Sequence, residues 1–287
     1  MNNFSIEVNN SIISGLQWGE LSNPVLLAVH GWLDNAASFV PLAEALKKDI
    51  EDGSLAYQLI AIDLPGHGQS DHKPGHYNFV EWVDDLYQVI TTQKWGPVSI
   101  IGHSMGGMIS SIFAATFPEL VDRIVMIEGL GAISAEPDQT VSQLRQGIVS
   151  RDSYNQSTSK VNNTLTLDKV VKARCFVSDL NETNARLICN RNLTVNEGGM
   201  SWRSDPKLKL RSLVRLTELQ VIDILSSIST TCLIIVGDKG YPLLAKTLQL
   251  EIFCKDNFNV LKLSGGHHVH MDNAAETASA IVKFINN

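Results

Sequence analysis

Residues Val98 to Phe117 read Val-Ser-Ile-Ile-Gly-His-Ser-Met-Gly-Gly-Met-Ile-Ser-Ser-Ile-Phe-Ala-Ala-Thr-Phe. An apolar run comes first, a glycine-flanked turn follows between Gly102 and Gly106, and Met105, Met108, Ile109, Ile112 and Phe113 then recur at helical spacing until Pro118 ends the pattern. The stretch predicts strand, sharp turn, helix. Ser104 falls at the tip of the turn inside Gly-x-Ser-x-Gly, where a serine is held exposed on strained backbone and needs small neighbours so that strand and helix can pass close by. Ser104 is therefore the candidate nucleophile.

The rest of the chain repeats the alternation. Phe4–Val8 and Ile12–Trp18 predict an antiparallel pair turned by Asn9 and Asn10, and Val25–Val29 predicts a strand buried on both faces that ends at His30-Gly31-Trp32. A helix over about 38–48, a strand over 57–64 closed by Asp63-Leu-Pro-Gly-His-Gly-Gln-Ser70, a helix over 79–93 and a strand over 123–128 follow. Between about 132 and 217 the alternation fails: Ser, Asn and Thr accumulate over 150–166 and short helical patterns surround Val170, Val171 and 185–189, so this region is expected to be a mainly helical insertion. The pattern resumes with a helix over 219–228, a strand over 231–236, a helix near 242–253, a strand over 259–263 and a last helix over 274–285. Strands and helices in this order imply a mostly parallel sheet with ligands at the strands' C-terminal ends, where His30, Asp63, Ser104 and Glu128 all fall.

Composition narrows the field. A formal net charge of -7 and the absence of long Lys/Arg runs argue against nucleic acid or an anionic membrane surface as partner. No stretch approaches the roughly 18 consecutive apolar residues of a membrane span, and the first residues lack a basic and an apolar leader region, which predicts a cytoplasmic protein. Cys175, Cys189, Cys232 and Cys254 lack paired spacing and are expected to be buried reduced thiols. The Asn-x-Ser/Thr strings at Asn162, Asn181 and Asn192 are read as polar loop sequence.

With Ser104, His30-Gly31, the Asp63–Ser70 loop and a late Gly-His in hand, the chain resembles the α/β-hydrolase superfamily along nearly its whole length, and His30-Gly31-Trp32-Leu33-Asp34-Asn35-Ala36 resembles its serine hydrolase-like branch. The resemblance implies a core domain of 1–131 and 218–287 with a helical lid, 132–217, inserted after the sixth strand. It carries the general base to His267 and the oxyanion hole to the backbone N–H groups of Trp32 and Met105; loss of one such donor typically costs about 3 kcal/mol of transition-state stabilisation. The acid departs from the common pattern, since Gly240 stands where most relatives carry Asp after the seventh strand. Glu128, ending the sixth strand as in some relatives, is the preferred acid, because a carboxylate there is costly to bury without a partner such as an imidazole N–H; Asp238 is the alternative. In Gly199-Met-Ser-Trp202-Arg203-Ser-Asp205-Pro206, Trp202 and Arg203 are candidates for the substrate pocket together with His30, the competing reading being an Arg–Asp pair that anchors the lid.

His268 and His270 suggest a metal run, but no second ligand cluster completes it in the sequence, and both are read as packing or loop-support residues. No cofactor or metal is implied. The expected activity is a serine hydrolase acting on carboxylic esters or related small acyl substrates, with carbon–carbon hydrolysis of β-diketone-like substrates and a non-catalytic ligand-binding role as alternatives. The sequence carries no sign of oligomeric state.

Overall fold

The computed structural model describes residues 1–156, 165–196 and 199–287. In chain order the elements are β1 (Asn2–Val8), β2 (Ser11–Trp18), β3 (Val25–Val29), α1 (Val40–Glu51), β4 (Gln58–Ile62), α2 (Glu81–Thr92), β5 (Val98–His103), α3 (Met105–Thr116) and β6 (Val121–Ile127). Then come α4 (Thr140–Gln156), α5 (Leu167–Val177), α6 (Glu182–Asn192), β7 (Leu193–Asn196), β8 (Gly199–Trp202), α7 (Glu218–Ser227), β9 (Thr231–Gly237), α8 (Pro242–Thr247), β10 (Phe258–Leu263), α9 (Val269–Asp272) and α10 (Ala274–Ile285).

Eight strands form one sheet in the order β1-β2-β4-β3-β5-β6-β9-β10, parallel from β4 to β10 and antiparallel through β1 and β2. Asn9 and Asn10 turn the first hairpin with φ of 51° and 61°, the left-handed region that asparagine tolerates better than most residues. The sheet is covered on both faces, and the strand sequences show why. In β3, Val25, Leu27 and Val29 join the core under α2, α3 and α7, whereas Leu26 and Ala28 join the core under α1 and α10. Leu26 and Leu27 are fully buried, and burial of a leucine side chain contributes roughly 1.5–3 kcal/mol. The α/β-hydrolase fold expected from the sequence is the fold observed.

The region between β6 and α7 holds α4, α5 and α6, and also a two-stranded antiparallel hairpin, β7–β8, which sequence reading did not anticipate. Its strands of four residues are too short to show a period of two. A separate small core joins Val170, Val171, Leu180, Ala185, Ile188 and Leu193 of this region to Met271 of α9. The helix expected near 242–253 is shorter: α8 spans Pro242–Thr247, Leu250 turns extended, and a single 3-10 turn follows at Glu251–Cys254.

Other small readings change as well. Asn181 caps α6 by accepting a hydrogen bond from the Asn184 N–H at 2.9 Å, and Asn192 is a buried helix end rather than loop; Asn162 lies outside the described residues. All four cysteines are free thiols, but Cys175 is half-buried and Cys254 exposed. Among the described residues no helix is long and apolar enough to cross a membrane.

Candidate active site

Ser104 follows β5 with φ 51° and ψ −117°, a left-handed conformation that costs a side-chain-bearing residue on the order of 1–3 kcal/mol. The neighbours hold it there. Its N–H donates to the Ile127 carbonyl of β6 at 2.8 Å, and Gly106 sits so close to β3 that a β-carbon would lie 2.0 Å from the Val29 carbonyl oxygen. Only glycine allows α3 to start this near the sheet.

The Ser104 hydroxyl lies 2.9 Å from His267 Nε2, and His267 Nδ1 lies 3.2 Å from Glu128 Oε2. With the carboxylate accepting, the proton is assigned to Nδ1 and the Ser104 O–H donates to Nε2. Glu128 is 3% exposed, and its burial is compensated: Oε1 accepts from the Gly237 N–H at 2.7 Å and Oε2 from the Tyr241 N–H at 3.0 Å. Glu128 itself has φ 53°. The Tyr241 ring lies 4.1 Å from the His267 ring at 55°.

Gly240 makes room for Glu128 in steric terms. A β-carbon there would lie 2.1 Å from Glu128 Oε1 and 2.4 Å from its carboxyl carbon, so the volume that an aspartate at 240 would fill is occupied by the glutamate from β6. Asp238 points elsewhere. It is exposed and accepts the Gly265 N–H at 2.9 Å, and this backbone hydrogen bond holds its carboxyl below the usual range. The structure thus brings Ser104, His267 and Glu128 together and leaves Asp238 as a brace of the histidine loop.

Met105 is the first residue of α3, so its N–H has no acceptor within the helix. Trp32 is half exposed, and its indole N–H donates to the Leu208 carbonyl at 3.1 Å, tying the segment after β3 to the region between β6 and α7. His30 does not line an open pocket. It is fully buried, Nδ1–H donates to the Gly31 carbonyl at 2.8 Å, Nε2 accepts the Leu64 N–H at 3.0 Å, and burial pulls its pKa down to about 4. Trp202 is 50% exposed on β8. Arg203 makes no ion pair with Asp205; its Nε donates to the Leu193 carbonyl at 3.2 Å and its N–H to the Asn192 carbonyl at 2.7 Å, closing the base of the hairpin. Asp205 instead accepts from the Tyr77 hydroxyl at 2.9 Å and lies 3.3 Å from Lys207 Nζ.

Two other Arg–Asp pairs join the region between β6 and α7 to the rest of the chain, Arg174 with Asp34 and Arg191 with Asp63. Arg191 of α6 places Nε 3.0 and 2.9 Å from the two oxygens of Asp63, which also accepts the Ala36 and Gln69 N–H groups at 2.8 Å each. A second network was equally hidden in the sequence. His268 donates Nδ1–H to Asp179 Oδ1 at 2.6 Å and Nε2–H to Asp34 Oδ2 at 3.3 Å, while Asp34 Oδ1 is hydrogen-bonded to Arg174. Burial opposes charge on His268, but its bonds to Asp179 and Asp34 outweigh it and push the pKa up to about 9. His103 is neutral, with burial pulling its pKa down to about 4; its Nε2–H donates to the His267 carbonyl at 2.9 Å and its Nδ1 lies 3.6 Å from Asp34 Oδ2. These partners lie up to 234 residues apart, and no local pattern pairs them.

One ligand atom from each of Asp34, His103 and His268 lies within 4.8 Å of the other two, a spacing that a metal ion could bridge. The donors do not fit well. Asp34 already faces the Arg174 guanidinium and His268 carries a proton on each nitrogen, so a cation would displace a proton and sit beside a positive charge. Two carboxylates facing two cations already balance.

Residues 24–274 match the family model described as the alpha/beta hydrolase fold. The chain belongs to the α/β-hydrolase family. Within it, this hydrolase falls in the serine hydrolase-like branch: a serine hydrolase-like protein of Dictyostelium discoideum is 30% identical over 98% of this chain and 80% of its own. Among solved structures, a hypothetical protein of Pseudomonas aeruginosa superposes with a TM-score of 0.88 at 26% identity over 100% of both chains. The thioesterase domain of the curacin biosynthetic pathway superposes with a TM-score of 0.80 at 25% identity, covering 98% of this chain and 99% of that one.

Proposed function

We propose that this α/β-hydrolase cleaves carboxylic esters through an acyl-enzyme on Ser104. The reading rests on one observation, the continuous hydrogen-bonded chain from Ser104 Oγ through His267 to Glu128, at 2.9 and 3.2 Å. In this mechanism Ser104 Oγ attacks the ester carbonyl as His267 Nε2 takes the hydroxyl proton, and Glu128 steadies the resulting imidazolium through Nδ1–H. The Trp32 and Met105 N–H groups receive the charge on the carbonyl oxygen, the latter aided by the positive end of α3. His267 then gives its proton to the departing alcohol. Water, deprotonated by the same imidazole, attacks the acyl group and regenerates Ser104, releasing the acid. No cofactor is called upon. Residues 132–217 act as a lid over this site, with Trp202 as a substrate-facing candidate on its exposed hairpin.

The similarity to a thioesterase domain supports acyl-transfer chemistry over carbon–carbon cleavage, and the intact Ser104–His267 contact favours catalysis over simple ligand binding. The test is hydrolysis of p-nitrophenyl esters of C2 to C12 acids by wild type and Ser104→Ala, with fluorophosphonate labelling of both. Ester turnover and labelling by wild type alone are expected. Labelling without turnover of any ester, accompanied by turnover of a vinylogous β-diketone, would replace ester with carbon–carbon hydrolysis; a wild type that neither labels nor turns over would reject catalysis.

A further inference from the structure

We propose that Asp179, carried by the inserted region, is a positioning residue for the catalytic loop: it grips His268 and thereby couples seating of that region to the orientation of His267. The inference rests on the Ser104 hydrolase reading above.

Asp179 lies between α5 and α6, and its two oxygens accept two hydrogen bonds from one residue, the His268 backbone N–H at 3.2 Å and the ring Nδ1–H at 2.6 Å. The approach is as close as the chain permits, since a β-carbon on Gly266 would lie 2.1 Å from Asp179 Oδ2. On the far side of the ring, Asp34 accepts the second imidazole proton and is itself held by Arg174 of α5. Both ends of this four-residue chain, Asp179 and Arg174, therefore belong to the inserted region, and its middle belongs to the core.

His267 is held through its main chain from two directions. Its carbonyl receives the His103 Nε2–H at 2.9 Å, and the peptide that follows it presents the N–H that Asp179 accepts. The ring of His103 packs 4.9 Å from the rings of both His267 and His268 and 4.2 Å from that of His270. A contact placed elsewhere on the core would anchor the inserted region equally well. Placed here, it fixes the residue next to the general base.

The grip depends on charge. The groups facing His268 are Asp179 and Asp34, Arg174 behind Asp34, the neutral rings of His103 and His270, His267, and the more distant Asp272. Burial opposes ionisation of Asp179, but its bonds to His268 override this and hold its carboxyl well below the usual range, so it remains an anion wherever the enzyme is assayed. His268 is the partner that titrates: its pair stays charged at neutral pH and opens as pH rises through about 9.

The experiment uses the full chain, with Asp179→Asn and, as an approach from the other partner, His268→Gln. Ester kinetics from pH 5 to 10, fluorophosphonate labelling, thermal midpoint and backbone hydrogen exchange over 264–272 are measured for each. Asp179→Asn is expected to lower kcat and the labelling rate by about ten- to a hundredfold with KM within about threefold of wild type, the scale of effect that a small misplacement of a catalytic group produces. The alkaline fall in kcat moves to lower pH by about one unit, as loss of one neighbouring opposite charge predicts, and exchange at 266–268 quickens. Wild-type kcat and pH profile in Asp179→Asn, or a loss equal at every pH that tracks the thermal midpoint, would overturn the inference. A wild type that neither labels nor hydrolyses would remove the hydrolase reading instead, and unchanged exchange at 266–268 would then refute the grip independently.

Discussion

At the scale of single residues, Glu128, the acid of the proposed triad, is the informative feature. A glutamate at the end of β6 enters the imidazole pocket from a neighbouring strand, and the Gly237 and Tyr241 N–H groups fix its carboxylate from the loop that usually supplies the acid. Glu128→Gln keeps size and shape but replaces one acceptor oxygen with an NH2 group that meets either the His267 N–H or a backbone donor. Turnover of p-nitrophenyl acetate by Glu128→Gln is expected to fall by about 10³ to 10⁴, the range for loss of a triad carboxylate. Asp238→Asn, which removes the charge but keeps an oxygen able to accept the Gly265 N–H, is expected to stay within about tenfold of wild type; the reverse ranking would return the acid role to Asp238.

At the scale of elements, α5 and α6 are held to the core by three charged contacts: Arg174 to Asp34, Asp179 to His268, and Arg191 to Asp63. Arg191 and Asp63 are almost fully buried, so removing one partner strands a charge, at a cost of about 3–5 kcal/mol. Arg191→Leu should therefore lower the thermal midpoint by several degrees in differential scanning calorimetry, whereas Arg186→Ala, which breaks exposed pairs with Asp168 and Glu182, should leave it nearly unchanged. This division also explains what was legible beforehand. The turn at Ser104, the buried strand Val25–Val29 and the last helix at Ala274–Ile285 are written in local periodicity and turn chemistry, and each appears as expected. The burial of His30 and the partner of Arg203 were not legible, because both depend on which distant backbone groups satisfy a side chain. Local sequence carries no record of the Leu64 N–H that His30 accepts or of the Leu193 carbonyl that Arg203 bonds.

At the scale of the whole molecule, buried histidines set the response to pH. Burial holds His30, His67 and His103 at pKa values of about 4, 3 and 4 and drives His270 well below its ordinary 6.5. Below 6.5 the unfolded chain takes up protons that the folded chain refuses, so stability falls with falling pH by up to about 1.4 kcal/mol per pH unit for each such histidine. His268 works in the opposite direction: its raised pKa contributes stability that is complete below 6.5 and lost as pH rises through about 9. Thermal midpoints between pH 4 and 10 should therefore peak near 6.5, fall steeply on the acid side and gently on the alkaline side, and His268→Gln should flatten the alkaline limb alone. A symmetrical profile would contradict this assignment of charges.

The contact between Glu128 and Gly240 extends beyond one molecule, because it links two positions 112 residues apart in an either-or relation. One volume admits a single carboxylate, arriving from β6 or from the loop after β9. Any lineage that moves the acid from one address to the other must pass through a chain with both addresses empty or both filled. A doubly filled pair forces two carboxylates into one volume. Substitutions at 128 and 240 are thus expected to be inherited as a pair, with glycine at 240 whenever a glutamate holds 128.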